Sequence, residues 1–118
     1  MNRSSHVTQP LTAIEFEILL SLAGGDLHGY AILQDIEVRT EREFAVLPGT
    51  LYRAVNRLLQ NAWIVERTGA HALKDDSRRR IYHLTAEGRR QAAREAERLT
   101  RQLLTANARL IPGRSEAR

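Results

Sequence analysis

The sequence predicts a mainly α-helical chain with one small β-hairpin and a long final helix, and three observations support it. Apolar residues recur at helical spacing in four separate stretches. Between the third and fourth, the apolar positions Ile64 and Val65 and then Ile81, Tyr82 and Leu84 flank a polar stretch from Gly69 to Ser77, the pattern of two paired strands. The composition, 42% apolar and 27% charged over 118 residues, suits one folded domain plus one extended element, not a disordered chain.

The first helix is expected to begin at Thr12. Thr12-Ala-Ile-Glu15 fits a capping box, in which the hydroxyl and the carboxylate each satisfy an orphan amide. Ile14, Ile18, Leu19 and Leu22 then form a buried stripe, and Gly24-Gly25-Asp26 ends the helix. A second helix runs from about His28 to Arg39, with Tyr30, Ile32, Leu33 and Ile36 as its apolar positions. Pro48 suits the first turn of a third helix, where its missing amide hydrogen costs nothing. Leu51, Val55, Leu58 and Leu59 give that helix a buried face, and Thr50, Arg53, Asn56, Arg57 and Gln60 an opposite face with donors and no acid. After the hairpin, Thr85 caps a fourth helix reaching about Leu110, roughly 38 Å at 1.5 Å per residue. Its apolar positions Ala92, Ala96, Leu99, Leu103, Ala106 and Leu110 fall at alternating spacings of four and three, a heptad seam. A core this small cannot cover such a seam, so pairing with a second copy is the expected outlet, and folding back on the same domain is the alternative. The expected organisation is a flexible arm (1–10), one compact folded domain (11–84), a dimerisation helix (85–111) and a disordered tail (112–118).

Charge is unevenly placed. Residues 1–47 carry 3 basic and 7 acidic groups, whereas residues 48–118 carry 15 and 7, so a polyanion belongs with the second part. All the basic residues but Lys74 are arginine, the side chain suited to bidentate contacts with phosphate and guanine. The absence of cysteine excludes disulfides, thiolate metal sites and thiol nucleophiles. His6, His28, His71 and His83 are scattered without metal-ligand spacing, and Gly24-Gly25 lacks the lysine of a phosphate loop. No enzyme, cofactor or metal site is therefore expected. Met1–Pro10 has no apolar core of signal-peptide length and nowhere do about 18 apolar residues run together, so no membrane association and a cytoplasmic location are expected.

Three helices, a hairpin and a helix, with the third helix basic, is the layout of a winged helix-turn-helix. Within it, Glu17-Ile-Leu-Leu-Ser-Leu-Ala-Gly-Gly-Asp-Leu-His28-Gly29-Tyr30-Ala31-Ile32, Leu47-Pro48-Gly49-Thr50-Leu51-Tyr52-Arg53 and Tyr82-His-Leu-Thr85-Ala-Glu-Gly88 resemble the PadR-like family of transcriptional regulators over about residues 11 to 105. The single C-terminal helix is similar to the short subclass of that family. The resemblance implies a bacterial one-component repressor, dimeric through its last helix and relieved by a small molecule or stress signal. Three departures stand out. Ile81-Tyr82 replaces a frequent pair of aromatics, Trp63 stands where an aliphatic is common, and the fourth helix has no aromatic to stack a drug-like ligand.

In a helix-turn-helix the recognition helix enters the major groove by its N-terminal residues, which puts Thr50, Arg53, Asn56 and Arg57 within reach of DNA. Thr50 suits a phosphate or a thymine methyl, Arg53 a guanine and Asn56 an adenine. Pro48 and Gly49 shape the helix start and let its backbone come close to DNA. For Tyr52, a core ring and a hydroxyl on a phosphate remain alternatives. Tyr30 resembles a family position on the DNA backbone, the other reading being a core aromatic. In the wing, Lys74 and Arg78 to Arg80 suit phosphates or the minor groove, although strand alternation turns Arg79 away from Arg78 and Arg80. An effector site would lie between the first and fourth helices at Phe16, Leu19, Leu20, Leu99 and Leu103, with plain core packing as the alternative. Dimeric double-stranded DNA binding to a palindromic operator follows as the expected function. The competing reading is a winged-helix protein-interaction module whose basic face is incidental.

Overall fold

The computed structural model describes residues 11–68 and 80–112. Its elements run α1 (Ala13–Ala23), β1 (Leu27–His28), α2 (Gly29–Arg39), α3 (Pro48–Gln60), β2 (Ile64–Thr68), β3 (Arg80–Leu84) and α4 (Ala86–Leu110). The arrangement is the mainly helical one expected, with one addition. Instead of a two-stranded hairpin, β1, β3 and β2 form a three-stranded antiparallel sheet in that order. Leu27 and His28 pair with Tyr82 and Ile81, while β2 and β3 run in register from Ile64 opposite Leu84 to Thr68 opposite Arg80. Two residues are too few to show a period of two, which is why β1 leaves no mark on the sequence. The arm (1–10) and residues 113–118 of the tail lie outside the described residues.

The helix starts obey their caps. Thr12 and Glu15 form the reciprocal capping box, with the Glu15 amide donating to Thr12 Oγ1 at 3.2 Å and the Thr12 amide to Glu15 Oε1 at 2.9 Å. His28 caps α2 through Nδ1, and Thr85 caps α4 by accepting from the Gly88 amide at 3.0 Å. One core gathers Ile14, Ile18, Leu19 and Leu22 of α1, Ile32 and Ile36 of α2, Leu51, Ala54, Val55 and Leu58 of α3, and Ile64, Tyr82 and Leu84 of the sheet. Burying each large aliphatic side chain contributes about 1.5–3 kcal/mol. Tyr30 is a correction: it is 63% exposed, and the place it was given on the buried stripe of α2 belongs to Gly29, which lies three residues before Ile32 and seven before Ile36.

Polar latches set the helices against one another. Arg39 binds Glu17 Oε1 at 2.7 Å and Asp35 Oδ2 at 2.8 Å, and buried Ser21 donates to Asp35 at 2.7 Å, joining α1 to α2. The Arg39 guanidinium holds the Asp35 carboxyl below the usual carboxylate range, so this latch loses strength as acid titrates Asp35, not as base does.

The turn after α3 is tightly built. Trp63 and Ala62 amides donate to Leu58 and Leu59 carbonyls, a Schellman closure that places Ala62 at φ 60°. The Trp63 carbonyl in turn accepts from the Thr85 amide at 3.1 Å and lies against Gly88, where a Cβ would stand 2.0 Å from it. Left-handed backbone costs a residue other than glycine about 1–2 kcal/mol. Ala62→Gly is therefore expected to stabilise the protein by about 1 kcal/mol, raising Tm by about 4 °C. Gly88→Ala is expected to destabilise it by roughly 3 kcal/mol, since backbone must move to admit the methyl group. Denaturant titration of both variants checks the opposite signs.

Candidate nucleic-acid interface

The site is built on α3, because its two sides differ so sharply. Leu51, Ala54, Val55 and Leu58 are turned into the core, and Arg53, Asn56 and Gln60 are exposed on the far side. Pro48 occupies the first position and Leu47 stands at the N-cap with no side-chain hydrogen bond. The first turn contains no acidic residue. The positive end of the helix dipole thus opens beside exposed Pro48 and Gly49, followed on the helix by Thr50 and Arg53. Arg53 Nη2 donates to Thr50 Oγ1 at 3.3 Å, an exposed contact that leaves most of its fork free.

Both flanks of α3 are held. On one, Arg57 Nε donates to Glu15 Oε2 at 2.7 Å, tying α3 to the first turn of α1. Arg57 Nε is thus committed to α1, although the side chain stays about half exposed, whereas Arg53 has no partner on α1 among the described residues. On the other, the Tyr52 ring lies over Gly29, and a Cβ built there would stand 2.2 Å from its hydroxyl oxygen. Tyr52 is 44% exposed and outside the buried core, so its ring is supported by backbone with one edge in solvent. Tyr30, one residue further along α2 than Gly29, is exposed. Near Tyr52, Tyr82 is buried, and that burial, with Glu66 adding to it, pushes its phenol above the usual tyrosine range and keeps it neutral.

Of the wing residues, Arg80 lies on β3 and binds Glu66 Oε2 across the hairpin at 3.0 Å. Lys74 and Arg78 lie outside the described residues, as does Arg79. At the base of the hairpin, Asp26 accepts from Arg67 at 3.4 Å and contacts His83 Nδ1 at 2.8 Å. Nothing in the spacing of those three residues foretells that they meet.

On α4 the heptad positions do not behave alike. Ala92 packs against the core of its own domain and Leu99 is half-buried against α1. Ala106 is also half-buried, whereas Ala96, Leu103 and Leu110 are exposed, and Leu104 and Ile111 add further exposed apolar surface. Between α1 and α4 runs a groove of about 300 Å³ lined by Leu11, Ala13, Phe16, Glu17, Glu95, Arg98 and Leu99. It brings together Phe16 and Leu99 of the residues expected at an effector site. Leu19 is instead wholly interior, and Leu20 and Leu103 lie on open surface away from the groove. Buried Glu95 is held by both Nε and Nη2 of Arg98, at 3.0 and 2.6 Å. Among the described residues no group of histidines and acids has the arrangement of a metal site, and no helix is long and apolar enough to cross a membrane.

The geometry makes one residue type critical. Gly29→Ala is expected to swing the Tyr52 ring out of its seat, costing about 1 kcal/mol because a flexible side chain and not backbone yields. Tyrosine fluorescence and a thermal melt check this, and a loss above about 3 kcal/mol would mean that backbone moves instead.

Comparison with known proteins gives a consistent result. The sequence profile described as "Transcriptional regulator PadR-like family" matches residues 18–94. No curated protein matches the chain. Among solved structures, a transcriptional regulator from Clostridium thermocellum is 24% identical with a TM-score of 0.73, over 93% of this chain and 98% of that one. A PadR family transcription regulator from Clostridium difficile is 26% identical with a TM-score of 0.70, over 82% and 97%. Bacillus subtilis PadR, solved in complex with operator DNA, shares the fold at 22% identity and a TM-score of 0.60, over 70% of this chain and 45% of that one.

Proposed function

The chain belongs to the PadR-like family of transcriptional regulators, and from that premise we propose that it is a dimeric repressor that reads a palindromic operator with α3 and is released by a small molecule or stress signal. The observation that carries this reading is the two-sided α3. Its inner side is fixed in the core, and its outer side offers Arg53, Asn56 and Thr50 beside an uncapped, acid-free helix start. A major groove accepts such a helix, Arg53 pairing with a guanine edge, Asn56 with an adenine edge and Thr50 with a phosphate or a thymine methyl. Pro48 and Gly49 allow the helix start to approach a phosphate. Tyr52 of α3 and Tyr30 of α2 are exposed phenols that suit backbone phosphates. Lys74, Arg78 and Arg80 of the wing supply the adjoining phosphate contacts, Arg80 exchanging its Glu66 partner for DNA.

In the same reading, residues 11–84 form the DNA-binding domain and residues 85–111 the dimerisation helix. The seam Ala96, Leu99, Leu103, Ala106 and Leu110 is covered by a second copy, setting two reading heads about one helical turn apart, roughly 34 Å. Ala92 is left to its own core. The groove at Phe16 and Leu99 is the natural place for an effector, its volume lying at the lower end of the range for small-molecule sites.

Fluorescence anisotropy on the DNA upstream of the chain's own gene tests the reading. Nanomolar binding that depends on a palindrome and weakens steeply between 50 and 200 mM salt, by roughly 10³-fold or more, is expected. Arg53→Ala and Asn56→Ala are each expected to weaken operator binding roughly 5- to 150-fold without altering the fold. Micromolar binding indifferent to sequence would sink the proposal. For the dimer, Leu103→Asp combined with Leu110→Asp is expected to yield a folded monomer by sedimentation. A dimer surviving both changes would move the interface elsewhere.

A further inference from the structure

We infer that Glu15 is a positioning residue for α3, with Arg57 acting as the guide that sets the rotation of the helix and not as a reader of DNA. The inference rests on α3 being the DNA-reading helix. Glu15 stands at the third position of α1, and a capping box there requires only one of its carboxylate oxygens. Oε1 takes the Thr12 amide at 2.9 Å, and Oε2 is aimed across to Arg57 Nε at 2.7 Å. The carboxylate is buried, while the Arg57 side chain remains about half exposed. A pair with one partner this accessible is a weak source of stability, so its consequence is geometric.

The helical wheel shows what the pair controls. At about 100° per residue, Arg57 lies roughly 60° from buried Ala54, on the flank turned to α1, with Arg53 next to it on the outer side. Tyr52 over Gly29 occupies the opposite flank. Glu15 and Gly29 therefore grip α3 from its two sides. On a helix 10–12 Å across, a roll of about 20° carries a side-chain tip about 2 Å. That distance separates a hydrogen bond made from one lost. With Nε committed to Glu15, the Arg57 guanidinium plane is fixed by α1, whereas bidentate reading of guanine needs the fork aimed into the groove.

Operator and unrelated duplexes of equal length, titrated by anisotropy, test this with Glu15→Gln, Arg57→Gln, Arg57→Lys and the Glu15→Gln/Arg57→Gln double variant. Gln at position 15 keeps the capping box and removes the charge. Glu15→Gln and Arg57→Gln are each expected to weaken operator binding about tenfold, with no further loss in the double variant and no change in binding to unrelated duplex. Arg57→Lys, which keeps a cation opposite Glu15, is expected to recover most of what Arg57→Gln loses, and the salt slope to stay constant throughout. Wild-type operator affinity in Glu15→Gln would overturn the inference. So would a salt slope lowered by about one in Arg57→Gln, with Lys failing to rescue, because Arg57 would then touch DNA directly. A wild-type protein without operator preference would instead count against the DNA-reading role of α3. The clamp itself is checked without DNA by the Arg57 Nε–H resonance, expected to be protected from exchange in wild type and exposed in Glu15→Gln. An unprotected resonance in wild type would overturn it.

Discussion

The rotational setting of α3 is the constraint on which the rest of the structure depends. Leu51, Ala54, Val55 and Leu58 are all within 1% of full burial, and three of them are large enough to contribute about 1.5–3 kcal/mol each. No ion pair among the described residues competes with that sum, since exposed pairs contribute about 0–1 kcal/mol. Burial therefore decides which side of α3 faces inward. The polar flanking contact at Glu15 and the close approach at Gly29 act within that choice, trimming the angle and not selecting the face. The sheet serves the same end. The Schellman closure after α3 and the Trp63 carbonyl between Thr85 and Gly88 lock its last turn to the start of α4.

Charge follows the same division of labour. Four of the seven acidic groups in the first 47 residues are used internally: Glu15 on Arg57, Glu17 and Asp35 on Arg39, Asp26 on Arg67 and His83. Each carboxylate so used is removed from the field that a polyanion would meet. The outward face of α3 keeps Arg53 and Asn56 without an acid in its first turn. The asymmetry visible along the sequence is thus converted into an asymmetry in space. Four of its acids join the scaffold, while Arg53 stays on the surface.

What the sequence made legible were features set by local periodicity and by caps. The Thr12 capping box, Pro48 at the first position of α3, the buried stripes of α1 and α3, and the 25 residues of α4 beginning after Thr85 all depend on neighbours within four positions. What escaped were contacts made across the chain. Tyr30 reads as a stripe residue because aromatics usually are buried, yet Gly29 takes that place, and only Tyr52, 23 positions later, explains why a glycine is needed there. Arg57 falls only about 40° from Arg53 on a helical projection, and its contact with Glu15 depends on how α1 crosses α3. The strand β1 is defined wholly by its partner β3. Ala92 sits in an unbroken heptad pattern, but the pattern cannot tell which copies of the seam its own domain will cover.

The position of α1 draws these threads together. It packs on α2, on α3 and on α4, and its first turn carries both the Glu15 link to α3 and, at Leu11, Ala13 and Phe16, one wall of the groove shared with α4. Thr12 stands between the two, since its amide donates to the carboxylate that accepts from Arg57. A shift of α4 against α1 cannot be absorbed by the core, where Ile18 and Leu19 are fully buried and packed on all sides. At the end of α1 that packing gives way to the groove. Under the proposed function, a ligand that widens the groove or a partner helix that closes it acts on the turn that sets the angle of α3. Only a ligand that binds the two settings unequally moves that balance. The distance from groove to reading face is then a single helical turn plus one ion pair, which is short enough for a small displacement to matter.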